Sequence, residues 1–266
     1  MLHNLKQIRG HKLAAFDGTI GHVKDFLFDD KTWAVRYLVA DTGNWLEGRQ
    51  VLISPYALGT VNAEKQQIAI DLTRKQIEDS PSMSSDEPVS RQFEVTYYAY
   101  YGWPAYWTGT YMWGPYPDIV PRREKARTSN PNGKPWNSHL RSTSAVTGYN
   151  IHAADGEIGH VEDFVIDDET WAIRYLVVDT RNLLPGKKVL ISPRWIKGVS
   201  WDVSKVFVDL SRSAIKQSPE YSHESLLTRD YETRLHGHYN RRGYWIDEPV
   251  AGEQSRRSSH DKGLAP

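Results

Sequence analysis

The 266-residue chain contains no cysteine. That absence excludes disulfides, a thiolate nucleophile, cysteine-held zinc and cysteine-held iron–sulfur clusters. Neither sign of charge is in excess: 33 Lys and Arg stand against 33 Asp and Glu. A neutral chain has no global field to draw it onto nucleic acid or an anionic membrane. No run approaches the ~18–20 apolar residues needed to span a bilayer. The opening stretch, Met1-Leu2-His3-Asn4-Leu5-Lys6-Gln7, has no apolar signal core. A soluble protein in the cytoplasm is therefore expected. Catalytic motifs are missing as well. Ser54 and Ser192 precede Pro and lack a Gly-x-Ser-x-Gly elbow.

What is present is written twice, 138 residues apart. Asp17-Gly18-Thr19-Ile20-Gly21-His22-Val23 returns as Asp155-Gly156-Glu157-Ile158-Gly159-His160-Val161. Thr32-Trp33-Ala34-Val35-Arg36-Tyr37-Leu38-Val39 returns as Thr170-Trp171-Ala172-Ile173-Arg174-Tyr175-Leu176-Val177, and Val51-Leu52-Ile53-Ser54-Pro55 as Val189-Leu190-Ile191-Ser192-Pro193. Of the 41 positions from Ala15 to Pro55, 28 are identical in the second copy. A repeat of this length is a duplicated domain, not a solenoid unit. The register holds through Tyr101, Tyr106 and Trp107, matched by Tyr239, Tyr244 and Trp245. The expected organisation is a first repeat with arm over 2–107, a Pro/Gly/basic linker over 108–139, a second repeat with arm over 140–245, and a disordered tail over 246–266.

Each repeat reads as short strands. His11–Phe16 and Thr19–Phe28 flank the Asp17-Gly18 hairpin turn, and mixed alternation near Gly21 signals a bulge or barrel bend. Trp33–Asp41 is a third strand, with Trp33, Val35, Tyr37 and Val39 expected on one face. Gln50–Ile53 ends at Pro55. Gln67–Leu72 is a fifth, and Thr73 caps a short helix, Arg74–Asp79. Five or six strands at this spacing suggest a small closed barrel, which removes exposed edges. The fold class expected is mainly β: two duplicated small barrels with short helices and aromatic arms, packed with pseudo-twofold symmetry, as the halves of an isologous dimer would be. A monomer that is itself a pseudo-dimer and a homo-oligomer are both compatible with it.

The combined pattern Asp-Gly-x-Ile-Gly-x-Val-x-Asp-Phe, Asp-Asp-x-x-Trp-x-Val/Ile-Arg-Tyr-Leu-Val and Val-Leu-Ile-Ser-Pro resembles the PRC-barrel family over residues 8–80 and 146–218. That family includes the cytoplasmic domain of the photosynthetic reaction-centre H subunit and the C-terminal domain of a bacterial ribosome maturation factor. The resemblance implies a small bacterial β-barrel that binds protein partners and is not known for catalysis.

Several groups invite a chemical reading. Asp17-Gly18 and Gly21, with Asp155-Gly156 and Gly159, could pass for a phosphate loop. They lack the following helix and Gly-Lys-Ser/Thr, so hairpin and bulge glycines are the better reading. Asp25, Arg36 and Asp41, with Asp163, Arg174 and Asp179, could form an acid/base set beside Trp33 and Trp171, or ion pairs anchoring a barrel rim or the interface between copies. The second reading is favoured. His22, His160 and His236-Gly237-His238 lack a third ligand at zinc spacing. No catalytic residue, metal or cofactor is expected.

The least ordinary segment runs from Tyr97 to Tyr116, with ten aromatics in twenty positions. Aromatics of this kind pack arms onto barrels or anchor protein interfaces. The second copy replaces Trp103 and Pro104 by Arg241 and Arg242. Trp103, Tyr106, Tyr111 and Trp113, with Arg122 and Arg123 of the basic run behind them, are therefore the candidate partner-binding residues. The expected function is a non-enzymatic adaptor or scaffold with an unidentified protein partner. The resemblance also leaves open an RNA- or ribosome-associated assembly factor, and a peripheral partner of a membrane complex like that of photosynthetic electron transport.

Overall fold

The computed structural model describes residues 1–47, 49–82, 89–107, 139–180, 186–223 and 227–246. The chain opens with β1 (Leu2–Asn4) and the single turn α1 (Leu5–Ile8). The first repeat continues through β2 (Lys12–Ala15), β3 (Gly18–Asp29), β4 (Ala34–Asp41), β5 (Val51–Ile53), β6 (Leu58–Asn62) and β7 (Gln67–Ile70), then α2 (Arg74–Glu78) and the arm helix α3 (Arg91–Tyr101). The second repeat follows the same plan: β8 (Leu140–Ser142), α4 (Thr143–Val146), β9 (Asn150–Ala153), β10 (Gly156–Asp167), β11 (Ile173–Asp179), β12 (Lys188–Ile191), β13 (Ile196–Ser200), β14 (Lys205–Val208), α5 (Arg212–Gln217) and α6 (Arg229–His238). No helix among the described residues is long and apolar enough to cross a membrane.

The strands form two seven-stranded sheets, ordered β5-β4-β3-β2-β7-β6 and β12-β11-β10-β9-β14-β13, each with one further strand off this path. The hydrogen-bond ladder does not close. Among the described residues β5 and β6 do not pair, nor do β12 and β13. Full closure, the expected remedy for open edges, is thus absent. A 3₁₀ turn at Pro55–Ala57 spans the gap instead, and the Ala57 carbonyl accepts from the Asp71 N–H (2.8 Å). Trp195 and Asp209 repeat that bond at 2.8 Å. Pro forces the turn because it cannot donate to a ladder.

The bend expected near Gly21 is real. A Cβ there would lie 1.9 Å from the Asp41 carbonyl oxygen, and one at Gly159 would lie 2.1 Å from that of Asp179. Only glycine lets β3 cross β4 this closely, and the equivalent crossing recurs in β10 and β11.

One face assignment needs correcting. Register shifts between Leu27 and Phe28, opposite Tyr37 and Val35, leave Arg36 as a bulged residue. Alternation breaks there. Trp33 and Val35 point into the barrel core, while Tyr37 and Val39 face the arm. Both faces of β4 are covered, which is why the strand reads as a nearly continuous apolar run.

The further strand in each sheet comes from the other repeat. β1 pairs with β10, Leu2 opposite Asp167 and Asn4 opposite Val165. β8 pairs with β3, Leu140 opposite Asp29 and Ser142 opposite Leu27. The repeats thus exchange their N-terminal segments, and a spatial unit is not a contiguous stretch of sequence. Nothing in the apolar pattern signals this, because three residues have no period of their own.

Trp33 and Trp171 meet at the pseudo-twofold axis. Both sit at φ 54°, a left-handed conformation strained for a bulky residue. The conformation turns the carbonyls outward. Trp171 O accepts from the Val35 N–H and Trp33 O from the Ile173 N–H, both at 2.8 Å, and Ala34 bridges Ala172. Beneath them Phe28 stacks on Trp33 (5.2 Å between ring centroids) and lies 5.9 Å from Phe164. One core runs through both repeats.

Candidate functional site

The carboxylates read as an acid/base set do not converge. Asp25 faces the exchanged segment of the other repeat. It accepts from the hydroxyls of Ser142 and Thr143 (2.7 Å for the latter) and from the Ser144 N–H (3.2 Å), and pairs with Arg9 (3.3 Å). Asp163 does the same work for the first segment with fewer partners. It accepts from the Lys6 N–H at 3.1 and 3.3 Å. The hydroxyls of Ser142 and Thr143 are replaced by Asn4 and Leu5. Almost wholly buried, Asp163 has its carboxyl pushed up to about 6 by loss of solvent, against backbone hydrogen bonds that pull it down. Both aspartates end a helix that belongs to their neighbour, where a negative charge meets free N–H groups.

Arg36 pairs with Asp29 (3.7 Å) and the Thr32 hydroxyl (3.0 Å), not with Asp25 or Asp41. Arg174 repeats this with Asp167 (2.8 Å) and Thr170 (3.2 Å). Asp41 accepts from the Gly43 N–H (3.0 Å) and Asp179 is buried in the strand pairing with β10. Asp17 and Asp155 accept from the backbone of Arg74 and Arg212, both at 2.7 Å, so they tie each hairpin to its helix. Gly18 and Gly156 occupy the hairpin turn with positive φ.

The arms carry a buried network that the sequence reading missed. Glu94, fully buried, pairs with Arg91 (2.9 Å) and accepts from the phenols of Tyr37 (3.1 Å) and Tyr106 (2.7 Å). Glu232 pairs with Arg229 (2.9 Å) and accepts from Tyr175 and Tyr244, both at 2.8 Å. Arg36 and Arg174 lie over the rings of Tyr106 and Tyr244, each 4.1 Å from the centroid. Burial raises both glutamates, offset by these partners. The signal was available: all five residue types recur at an offset of 138. Tyr106, a candidate partner-binding residue, is committed to this network and is buried.

Trp103 is placed differently. It is half-buried, stacked on Tyr101 (4.4 Å, interplanar 11°) and on Tyr56 (5.5 Å, 23°). The second repeat has Arg241 in its place and Arg194 in place of Tyr56. Beneath the stack Tyr97 closes an edge of the sheet, donating to the Leu52 carbonyl (3.0 Å) and accepting from the Ser54 N–H (3.1 Å). Tyr98 meets the Ser54 hydroxyl at 3.2 Å. Leu235 and His236 stand in the corresponding positions. His236 is buried, with Nε2 at the Tyr175 phenol (3.1 Å) and Nδ1 at the Arg242 carbonyl (2.9 Å). Burial pulls it down to about 4. His238 meets the Ala214 carbonyl (2.8 Å) and His22 is exposed, so the histidines do not share a site. Tyr111, Trp113, Arg122 and Arg123 lie outside the described residues.

Comparison with the curated proteins finds no match. The PRC-barrel domain model matches two segments, residues 6–77 and 144–214, which together make up just over half of the chain. These segments hold β2–β7 and β9–β14, without the exchanged strands β1 and β8, and carry the bulged arginine, the close glycine crossing and the paired tryptophans. The chain belongs to the PRC-barrel family, of which it contains two domains in tandem.

Proposed function

We propose that the protein is a non-enzymatic adaptor whose contact surface for a protein partner is the aromatic face of the first arm. PRC-barrel domains are interaction modules in general. The observation that carries the reading is the stack of Tyr56, Trp103 and Tyr101, half-buried beside an exposed Tyr100 and present in one repeat only. The fold does without it, since the second repeat places arginines at two of the three positions and keeps the same architecture. Rigid, half-exposed aromatics are the side chains that dominate interface energetics. The carboxylates nearest to an acid/base arrangement are taken up in helix capping and ion pairs.

The test replaces the stack by the second repeat's own residues. Tyr56→Arg/Trp103→Arg and wild type are compared in crosslinked affinity capture from native cells, with thermal unfolding recorded alongside. The expected result is one protein species lost in a variant that remains folded. An unchanged set of captured proteins would overturn the reading, as would ribosomal RNA retained equally by both. A robust turnover abolished by Asp25→Ala in folded protein would overturn the non-enzymatic part.

A further inference from the structure

The exchange of N-terminal segments follows one rule on both sides of the pseudo-twofold axis. Met1 O accepts from the Asp168 N–H (3.0 Å) and His139 O from the Asp30 N–H (2.8 Å). The pairings Leu2 to Asp167 and Leu140 to Asp29 are equivalent, as are the contacts of Lys6 N–H with Asp163 and Ser144 N–H with Asp25. Four residues later the chain has returned home. The Gly10 N–H donates to Val23 O (2.9 Å) of its own repeat and the Gly148 N–H to Val161 O (2.7 Å). Both glycines have the positive φ that such a reversal needs, +82° and +95°.

The segments are not loosely laid on. Leu5, Ile8, Thr143 and Val146 are buried, and the Tyr221 phenol donates to the Asn4 side chain at 2.7 Å. The acceptor is a strand edge of three residues with a carboxylate at its end, which fits the first N–H groups of a short helix. A three-residue strand followed by a single helical turn has no stability of its own. It forms only on that acceptor.

We propose that this acceptor is a recognition site for the N-terminal segment of a PRC-barrel repeat, and that it takes the segment from a second copy of this chain once the covalent connection between the repeats is removed. The tandem chain is then the single-chain form of a dimer that exchanges segments. The site is separate from the aromatic face of the first arm, and its failure would leave that reading standing.

The experiment uses the full chain with a protease recognition site placed in the connecting stretch 108–138. The protein is folded first and then cut. The two halves should co-elute at 1:1 stoichiometry at micromolar concentration, with an unchanged circular dichroism spectrum. Two differently tagged preparations, cut, mixed, unfolded in urea and diluted, should yield hybrids carrying both tags. Asp25→Ala in the cut protein should weaken association of the halves about tenfold or more, since it removes the charged acceptor of two hydroxyls and a backbone N–H of the exchanged segment. Asp25→Asn, which can still accept, should weaken it less and guards against a variant that does not fold. Halves that separate on cutting, or that fail to form hybrids on refolding, would overturn the proposal.

Discussion

The two arms are built on one plan and finished differently. Arg91, Glu94, Tyr37, Tyr106 and Trp107 in the first have counterparts Arg229, Glu232, Tyr175, Tyr244 and Trp245 in the second, with the same bonds. Around that shared network the first arm places Tyr97, Tyr98 and Trp103, where the second has Leu235, His236 and Arg241. Trp195 packs against His236 and Tyr239 where the first repeat has only Ala57. Since one network holds both arms down, its residues answer to the fold. Those that differ are free to serve something else. The carboxylates that receive the exchanged segments show the same division. Asp25 is met by hydroxyls and a guanidinium, Asp163 by a backbone N–H of the segment in a drier setting.

The sharpest way to break the comparison is to cut the shared network. Glu94→Ala leaves a guanidinium and two buried phenols without their acceptor, at a cost of about 3–5 kcal/mol. Glu232→Ala should cost the same within about 1 kcal/mol. Urea unfolding of both variants decides it. A large loss from one and a trivial loss from the other would mean that the arms are not held alike.

Acidification should separate the repeats next. His236 titrates near 4 in the folded protein, well below an unfolded histidine, so the unfolded chain binds more protons between those values. Its contribution is therefore present above about pH 6.5 and lost as pH falls toward 4, by about 3 kcal/mol in all. Asp163 has the opposite sign. Its folded value near 6 exceeds the unfolded value, so folding is favoured below about pH 4 and that gain is lost as pH rises through 6. The two offset each other in wild type. His236→Gln, which cannot titrate, should leave a protein whose stability falls more steeply as pH rises from 4 to 6 than wild type does. Parallel profiles for variant and wild type would show that His236 is not held neutral. Tyr98 occupies the equivalent place in the first arm and cannot produce this effect.

The smaller difference lies between the aspartates at pH 7. Asp25→Asn should cost about 1–3 kcal/mol, because charged hydrogen bonds to Arg9 and two hydroxyls are weakened. Asp163→Asn should be neutral or stabilising, since a buried charge is removed while an oxygen remains to accept from Lys6. Equal losses in thermal unfolding would show that the two ends of the exchange are equivalent after all.

The duplication itself, the hairpin at Asp17-Gly18, the bend at Gly21, the Thr73 cap and the strands flanking them were legible because each rests on local geometry. A hairpin needs its glycine within two residues, a close crossing needs a missing Cβ, and a helix cap needs its hydroxyl in place. The repeat also pointed to residues with a shared duty, Arg36 and Arg174 among them. It could not say that the partner of Arg36 is Asp29, since a bulge changes which neighbour a side chain meets without changing composition. The candidate site was legible in part: the sequence singled out Trp103 and Tyr106 alike, but their different placements, stacked and half-exposed or buried on Glu94, depend on the arm's docking.

The sequence by itself determined that there are two repeats, that each is a mainly β domain of the PRC-barrel family, and which positions the two hold in common. Those properties live in local spacing and periodicity, which survive in an unfolded chain. The tertiary structure alone decided that β1 and β8 cross to the other repeat, that Trp33 and Trp171 join hands across the axis, and that Asp25 and Asp163 serve a helix more than a hundred residues away. Such pairings are selected by the free energy of burying Leu5, Ile8 and Val146 against a partner strand, a quantity that exists only once both repeats have folded.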